Sequence, residues 1–353
     1  MLILKCGGPI SMKKIIVSLC VLFILVGCSG EKVNIVPSET KDIKYQNYDN
    51  GIFTMQIPEG WEVSYGGNAM LFAIHAYKPE KENSPKYHVF TLLKAEPLHS
   101  RAFKEFEVKN FGAFPLYDIL TKAPAVEEPT VESFYKVFNE YTNYATAFEP
   151  SYSIEGYEMV WPVLNNFETI EQFPLNSMMS SVALDDKVIR ANYTDVYDGS
   201  LQQGLFSGSI TTNALSNQSY SAYNVFFVSS PDEKFIEYKP VLLGVLNSIK
   251  FSDEFVQNTI NASNQQTQNA LAIGQSLQET YDACNRAWEE RNTTYDIISQ
   301  KQSDATLGYE RVYDTETGDI YKAPNGFNDN NHFERYQPIT DDMYCLPIEG
   351  YIE

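Results

Sequence analysis

The stretch that decides the fold of this chain is Phe53-Thr-Met-Gln-Ile-Pro-Glu-Gly-Trp-Glu-Val63. Apolar and polar residues alternate from Phe53 to Ile57, and this alternation is typical of a strand with one buried face. Pro58 and Gly60 then mark a turn, and the apolar residues resume at Trp61. The pattern predicts an ordered, β-rich domain that begins near Tyr45.

Strand and helix patterns continue on the C-terminal side of this stretch. Five further runs favour strands, and turn residues bound most of them: Ala69–Tyr77, Tyr87–Leu93, Ser180–Leu184, Val188–Tyr193 and Tyr223–Val228. Aromatic and aliphatic residues at steps of three and four predict two amphipathic helices, Val131–Phe148 and Glu233–Ile249. Strands and helices without regular β-α-β alternation predict an α+β fold with a mainly antiparallel β-sheet and packed helices.

The two ends of this region resemble a known family. The stretch from Phe53 to Val63 is similar to the opening hairpin of the PsbP-like fold, and Leu246-Asn-Ser-Ile-Lys-Phe251 resembles its last helix and strand. That fold is shared by the extrinsic P protein of photosystem II, the eukaryotic Mog proteins and many short bacterial lipoproteins. The resemblance implies a PsbP-like domain over residues 45–252. It implies no catalytic residues, because the members are mostly binding, assembly or uncharacterised proteins.

The N-terminal residues have the pattern of an export signal. Lys13 and Lys14 precede an apolar run from Ile15 to Val26, which is the length of a secretory signal core and short of a bilayer span. The run ends in Leu25-Val-Gly-Cys28, which resembles the lipobox of bacterial lipoproteins. The resemblance implies a signal peptide over 1–27, started at Met1 or Met12, and a lipid on Cys28. Residues 28–44 are then a flexible tether, and the protein is lipid-anchored at the extracytoplasmic face of the cell membrane.

The charge of the chain limits its partners. The sequence has 26 basic and 46 acidic residues, and residues 1–27 hold three lysines and no acids, so the chain from Cys28 onward carries 23 basic residues against 46 acidic ones. Such a surface repels phosphate backbones and anionic lipid headgroups. Binding to nucleic acid is therefore disfavoured. The expected partners are the membrane, through the lipid anchor, and an extracellular protein or glycan.

Two cysteines remain after Cys28, and both lie near the C-terminus. Cys284 and Cys345 could form a disulfide in an oxidising compartment. It would close a loop of about 60 residues and stabilise the protein by roughly 4 kcal/mol. The alternative is two separate thiols, and a zinc site is disfavoured because no histidines lie nearby in sequence.

The C-terminal third divides into two parts. Residues 253–302 are rich in Gln and Asn and predict a long helix, with a heptad-spaced stripe that ends at Cys284 and Trp288. Packing of this stripe against its own domain is favoured over packing against a second copy. Residues 303–353 predict a small β-rich module with a hairpin around Asp314-Thr-Glu-Thr-Gly-Asp319. The acids of this loop do not match a calcium loop, since its twelfth position is Asn325 rather than Glu.

Catalytic and cofactor motifs are not found in the sequence. His75 and His88 lie in adjacent predicted strands and could share a metal, but two histidines without a third ligand are more often ordinary strand residues. Four tyrosines surround the Gly/Ser/Asn-rich stretch 198–221 and could form a binding surface, although packing against strands and sheet edges is favoured: Tyr193, Tyr197, Tyr220 and Tyr223. We expect a non-enzymatic binding or assembly lipoprotein without cofactor or metal. The alternatives are an envelope hydrolase with dispersed carboxylates and an oligomerising structural lipoprotein.

The mass of the protein extracted from membranes tests the lipid on Cys28. We expect a chain that begins at Cys28 and carries acyl groups, since two or more acyl chains hold a protein stably in a bilayer. In the Cys28→Ala variant the acyl mass is lost. An uncleaved wild-type chain without lipid would contradict the prediction, and residues 12–28 would then be a membrane-spanning or a buried helix.

Overall fold

The computed structural model describes residues 33–80, 85–154, 157–213, 216–262, 277–291, 293–330 and 334–353. The predicted signal peptide, the lipobox and Cys28 lie outside the described residues, as does the middle of the heptad stripe. Within the described residues, no helix is long and apolar enough to cross a membrane.

Strands make up most of the ordered structure. In chain order they are β1 Ile35–Pro37, β2 Tyr45–Asp49, β3 Phe53–Pro58, β4 Glu62–Gly66, β5 Ala73–Tyr77, β6 His88–Ser100, β7 Ala125–Val126, β8 Ser153–Ile154, β9 Tyr157–Glu158, β10 Asn165–Pro174, β11 Asp185–Thr194, β12 Leu201–Asn213, β13 Ser216–Pro231, β14 Lys250–Phe251, β15 Tyr309–Asp314, β16 Ile320–Pro324, β17 Tyr336–Pro338 and β18 Ile348–Ile352.

The helices lie between these strands and near the C-terminus. They are α1 Arg101–Phe111, α2 Asp118–Thr121, α3 Val131–Lys136, α4 Phe138–Phe148, α5 Phe235–Asn247, α6 Asp253–Ala262, α7 Leu277–Glu290, α8 Thr294–Leu307 and α9 Phe327–Asn330. Short 3-10 turns connect several of them, among them Pro115–Tyr117 between α1 and α2.

The largest sheet has eight strands and is almost entirely antiparallel. Its order is β10-β11-β12-β13-β6-β5-β4, and β7 adds a short parallel pair to β6. A three-stranded sheet has the order β14-β3-β2, and a five-stranded sheet near the C-terminus has the order β1-β18-β16-β15-β17. The predicted α+β class with a mainly antiparallel sheet and packed helices is confirmed.

The eight-stranded sheet is buried on both faces. Successive residues of one strand point to opposite faces, so Val89 and Phe226 belong to one core while Phe90 and Phe227 belong to the other. The first core packs under α5, α7 and the three-stranded sheet. The second packs under α3 and α4 and is rich in aromatic rings. Strands that are covered on both faces carry apolar residues on both sides. Their sequences therefore alternate less clearly between apolar and polar residues.

The aromatic helix predicted over Val131–Phe148 is present, but it is divided. Thr130 begins α3, and its hydroxyl accepts a hydrogen bond from the Ser133 N–H at 3.2 Å. Val137 leaves the helical conformation, and α4 begins at the next residue. The division lets Phe134, Tyr135 and Phe138 all lie against the sheet with no exposed surface.

Two parts of the predicted β-structure were wrong. The run Ser180–Leu184 begins in a 3-10 turn over Met178–Ser181. The stretch 198–221, interpreted as a loop, contains β12 and the first part of β13. The Gly and Ser residues that favoured a loop lie instead on buried strands, where small side chains fit beneath the covering helices.

The Pro-Gly-Trp turn joins two sheets instead of closing a hairpin. Strand β3 pairs with β2 and β14, while β4 pairs with β5. Gly60 has φ of 83°, a conformation that favours glycine, and it turns the chain from one sheet to the other. The bounds of β3 agree with the predicted strand, whereas its predicted partner was wrong.

The C-terminal third differs from the single long helix predicted over 253–302. Helix α7 ends at Glu290 and α8 begins at Thr294, because Arg291 turns into a buried cluster with Asp296. Of the heptad stripe, Cys284 and Trp288 pack in the first core of the same chain, as the favoured interpretation predicted. The β-rich module is present, and its hairpin pairs Tyr313 with Ile320.

The predicted tether is partly ordered. Ile35–Pro37 form β1, which pairs antiparallel with β18 so that Ile35 lies opposite Ile352. Beyond it, the Ser38 hydroxyl donates to the Glu237 carboxylate on α5. The short apolar run Ile35–Pro37 forms a strand in spite of its polar neighbours, because β18, which would otherwise be the edge of its sheet, offers backbone groups for it to pair with.

Close packing between β12 and β13 predicts that Gly204→Ala destabilises the fold. A Cβ atom at Gly204 would lie 2.6 Å from the Val228 carbonyl oxygen and 2.8 Å from Ser229 Cβ. We expect the free energy of unfolding in urea to fall by about 1–3 kcal/mol.

Gly208→Ala on the same strand is the matched control. Its Cβ would meet Val131 Cγ1 at 3.4 Å, which is an ordinary contact, so its unfolding free energy should stay within about 0.5 kcal/mol of the wild type. Equal effects of the two substitutions would contradict the packing argument.

Candidate functional site

A cavity lies at one end of the eight-stranded sheet, beneath α2 and α4. Its volume is about 490 Å³. Four tyrosines and one charged pair define it, and we call it the tyrosine cavity: Tyr141, Tyr144, Tyr152, Tyr223, Lys94 and Glu96. Cavities of this size, mostly apolar and with a few converging polar groups, are typical of sites for small molecules.

Strand β6 supplies the charged pair. Lys94 and Glu96 are two residues apart on one strand, a spacing that places both side chains on the same side. Lys94 Nζ lies 2.5 Å from Glu96 Oε1, and the Lys94 side chain is only 7% exposed. The ammonium also lies 5.3 Å from the ring centre of Tyr223, its cross-strand neighbour on β13. A buried ammonium therefore has both a carboxylate and an aromatic face as partners.

The Glu96 carboxylate accepts hydrogen bonds from three side chains. Besides Lys94, the Asn213 amide donates to Glu96 Oε2 at 2.7 Å and the Ser221 hydroxyl donates at 2.9 Å. These donors come from three different strands. They fix the position of the carboxylate in the cavity wall, because each contact restricts a different direction.

The tyrosine hydroxyls are mostly bound to the backbone, so the cavity is lined by rings. The Tyr144 hydroxyl donates to the Ile119 carbonyl oxygen at 2.9 Å, and the Tyr152 hydroxyl donates to the Leu71 carbonyl oxygen. Burial, and then the charge of Glu96, raise the pKa of Tyr141 and Tyr144. Both hydroxyls therefore stay protonated donors, and their rings offer flat surfaces for stacking.

A second carboxylate, Glu149, lines the same cavity. Its Oε1 accepts from the Ser151 N–H at 3.1 Å and from the Ser151 hydroxyl at 2.5 Å. A glycoside hydrolase needs one carboxyl group as acid and another as base or nucleophile. Donors of the same chain contact both carboxylates, Glu96 and Glu149.

His75 and His88, the candidate metal pair, do lie together. His75 Nε2 is 3.0 Å from His88 Nδ1, and His75 Nδ1 is 2.7 Å from the Val160 carbonyl oxygen. Both rings are buried, and burial lowers the pKa of His75 well below its ordinary value and that of His88 from 6.5 to about 4. Among the described residues, no group of three or more His, Cys, Asp and Glu side chains could hold a metal ion. The favoured interpretation as strand residues fits this geometry.

The predicted tyrosine surface is not assembled. Tyr193, Tyr220 and Tyr223 are buried, at 2%, 8% and 4% exposure, while Tyr197 is 70% exposed. The stretch between them forms β12 and β13, which place the first three rings inside the protein, so the favoured interpretation as packing residues describes these three tyrosines. Tyr223 alone of the four lines the tyrosine cavity.

Cys284 and Cys345 are free thiols in the structure. Cys284 lies in the first core, whereas Cys345 is exposed in a 3-10 turn over Asp341–Cys345. Burial raises the pKa of the Cys284 thiol to about 12, so it is a poor nucleophile for disulfide formation. The two thiols are separate in this structure, as the alternative to the disulfide describes.

The acidic loop of the C-terminal hairpin is a turn. Arg335 Nε donates to both carboxylate oxygens of Asp314 at 3.0 Å, and the Glu316 N–H donates to Asp314 Oδ1 at 2.9 Å. Gly318 has φ of 80°, which the turn requires. The carboxylate that would begin a calcium loop is thus bound by an arginine.

Comparisons with known proteins add little to this geometry. No family model matches the chain, and no curated protein matches it. The solution structure of cyanobacterial PsbP (CyanoP) from Synechocystis sp. PCC 6803 is similar to the chain with a TM-score of 0.25 and 11% identity, covering 62% of this chain and 98% of that one. A similarity of this size carries no argument about function.

The sequence itself carries a signal for the charged pair. Lys94-Ala-Glu96 follows a run from Val89 to Leu93 that is apolar except for Thr91. Two opposite charges at a spacing of two lie on one face of a strand, and charges inside a buried strand are rare unless paired. The tyrosines of α4, by contrast, could not be distinguished from core aromatics.

The histidine pair predicts a defined loss of stability in acid. The pKa of His88 is lowered in the folded state. Between pH 6.5 and about 4, His88 is therefore protonated in the unfolded chain but neutral in the folded chain. Stability is therefore fully present above pH 6.5 and falls as the pH decreases through this window, by up to ~3 kcal/mol.

His88→Gln should remove part of this pH dependence while keeping a hydrogen-bonding side chain beside His75. The measurement is the free energy of unfolding in urea at several pH values. The difference between wild type and variant is compared, because the contribution from carboxylate titration is the same in both proteins and cancels. His99 offers an independent control, because burial also lowers its pKa to about 4. His99→Gln should remove a separate part of the pH dependence of stability. Parallel pH curves for His88→Gln and the wild type would contradict the assignment.

Proposed function

We propose that this chain is a cell-envelope lipoprotein that binds a small ligand in the tyrosine cavity without catalysing a reaction. The lipid anchor on Cys28 and the position at the extracytoplasmic face rest on the lipobox alone. The assignment of residues 45–252 to a PsbP-like domain rests on the two end motifs. The binding activity rests on a different observation, the cavity itself.

The single observation that supports binding is the combination of ring surfaces with one fixed charged pair. The four tyrosines and Phe148 supply apolar faces, and Lys94 with Glu96 supplies a donor and an acceptor at one point of the wall. Apolar area gives affinity, whereas a few polar groups at fixed positions give orientation. Carboxylates already held by donors of the chain favour binding over the hydrolase alternative.

Filling the cavity tests this proposal. Ala145 lies on α4, is 4% exposed and lines the tyrosine cavity. We expect the neutral apolar dye phenylnaphthylamine to bind the wild type saturably, and Ala145→Phe to weaken this binding at least tenfold, because the new ring occupies the ligand volume. Dye fluorescence and calorimetric titration measure the affinity.

Ala147→Phe is the matched control. It places the same ring two residues away on the same helix, at an exposed position outside the cavity. Its dye affinity and its melting temperature should equal those of the wild type. A wild-type chain without saturable dye binding, or an Ala145→Phe variant that binds normally, would overturn the proposed function.

A further inference from the structure

A row of aromatic rings leads along α1 to the tyrosine cavity. Phe103 lies 6.4 Å from Phe106 between ring centres, Phe106 lies 6.3 Å from Phe111, and Phe111 lies 4.7 Å from Tyr117. Tyr117 is the residue immediately before α2. Because consecutive ring centres are within contact distance, the row forms one continuous apolar track.

Several large apolar side chains along this track are exposed. We call them the apolar strip, and their exposed fractions are 53% for Phe106, 56% for Phe114, 84% for Leu116 and 49% for Ile119. Single exposed apolar residues are ordinary, but a contiguous set marks a contact surface. The strip lies within 14 residues of chain and is held by α1, the 3-10 turn and α2.

The apolar strip meets the tyrosine cavity at Ile119. This residue is half exposed and also lines the cavity, and its neighbour Leu120 lines the cavity as well. The hydrogen bond from Tyr144 to the Ile119 carbonyl oxygen ties α2 to α4 at this point. A ligand that fills the cavity can therefore continue onto the strip past Ile119.

The charges around the site limit the head of such a ligand. Among the described residues, the only cation that lines the tyrosine cavity is Lys94, which is already paired with Glu96, while Glu149 adds a further negative charge. The chain as a whole has a net charge of −20. An anionic head would be repelled, whereas a neutral or zwitterionic head can use both Lys94 and Glu96.

We propose that the ligand of the tyrosine cavity is a single-chain amphiphile without net negative charge, whose apolar chain leaves the cavity past Ile119 and lies on the apolar strip. This inference rests on the proposed binding function and names its ligand class. The polar head lies at Lys94 and Glu96. The far end of the apolar chain lies against Phe106, Phe114 and Leu116.

The position of the strip favours a single amphiphile over the bilayer as its occupant. Strand β6 runs from the neighbourhood of Glu39 to the apolar strip. Tyr87, just before the first residue of β6, contacts Tyr238, and the Tyr238 hydroxyl donates a hydrogen bond to the Glu39 carboxylate. At the other end of β6, Ser100 caps α1. The strand has 13 residues, or roughly 40 Å at ~3.3 Å per residue. The strip therefore lies far from Glu39, and the acidic surface disfavours a domain laid flat on anionic lipids.

A chain-length series tests the ligand class. The probes are octyl-, decyl- and dodecylphosphocholine below their micellar concentrations, measured by calorimetry and by the fluorescence of Trp161, whose ring lies 4.9 Å from Tyr152 in the cavity wall. Each buried methylene increases affinity about fourfold. Successive probes differ by two methylenes, so we expect the wild type to bind each longer probe about fifteenfold more tightly than the one before it.

The double variant Phe106→Ser/Leu116→Ser should bind octylphosphocholine like the wild type. Its ratio of dodecylphosphocholine affinity to octylphosphocholine affinity should be at least tenfold lower than that of the wild type. Val182→Ser/Leu184→Ser is the matched control, because those residues are 55% and 53% exposed and lie outside the cavity. Its ratio should be unchanged.

The outcomes separate this inference from the proposed function. If no probe binds the wild type, and phenylnaphthylamine does not bind either, the proposed function fails. If octylphosphocholine binds and Ala145→Phe abolishes that binding, but chain length has no effect, the cavity remains a site and the amphiphile is overturned. Binding to phosphatidylcholine vesicles without binding to monomers, or a dimer that Phe106→Ser/Leu116→Ser dissociates, would also overturn it.

Discussion

The covering of the eight-stranded sheet on both faces is the constraint on which the rest of the structure depends. Strand β12 carries buried polar residues such as Ser207 and Thr211, whose hydroxyls have no hydrogen-bond partner among the described residues. Leaving such groups unpaired costs free energy that only extensive apolar burial around them can offset. The aromatic helices α3 and α4 supply this burial on one face, and α5 with α7 supplies it on the other.

A buried ion cluster joins the C-terminal helices to the sheet. The guanidinium groups of Arg190 on β11 and Arg291 after α7 both contact the Asp296 carboxylate, and all three side chains are at most 4% exposed. Arg291 also stacks on Trp288, at 3.4 Å from its ring centre. Removing one partner of a buried ion pair typically costs about 3–5 kcal/mol. Helices α7 and α8 are therefore an integral part of the domain rather than an appended stalk.

The sequence predicted the fold class better than the site. Alternation defined β3 to the residue, and the spacing of aromatics located α3 with α4. It failed for β12, because Gly and Ser favour loops in isolation and only the tertiary covering makes them strand residues. The cavity could not be predicted, since its wall combines β6, β12, β13, α2 and α4. The tyrosines of α4 serve as core and as cavity wall at once, and periodicity does not distinguish these roles.

The pairing of β1 with β18 has a mechanical consequence. Strands β1 and β18 are hydrogen-bonded neighbours, with Ile35 opposite Ile352. A pull on the chain before Val33 is transmitted first to the five-stranded sheet, through a short ladder of backbone hydrogen bonds. The five-stranded sheet thus takes up a pulling force before the eight-stranded sheet does. Separation of β1 from β18 can relieve this force without deforming the tyrosine cavity.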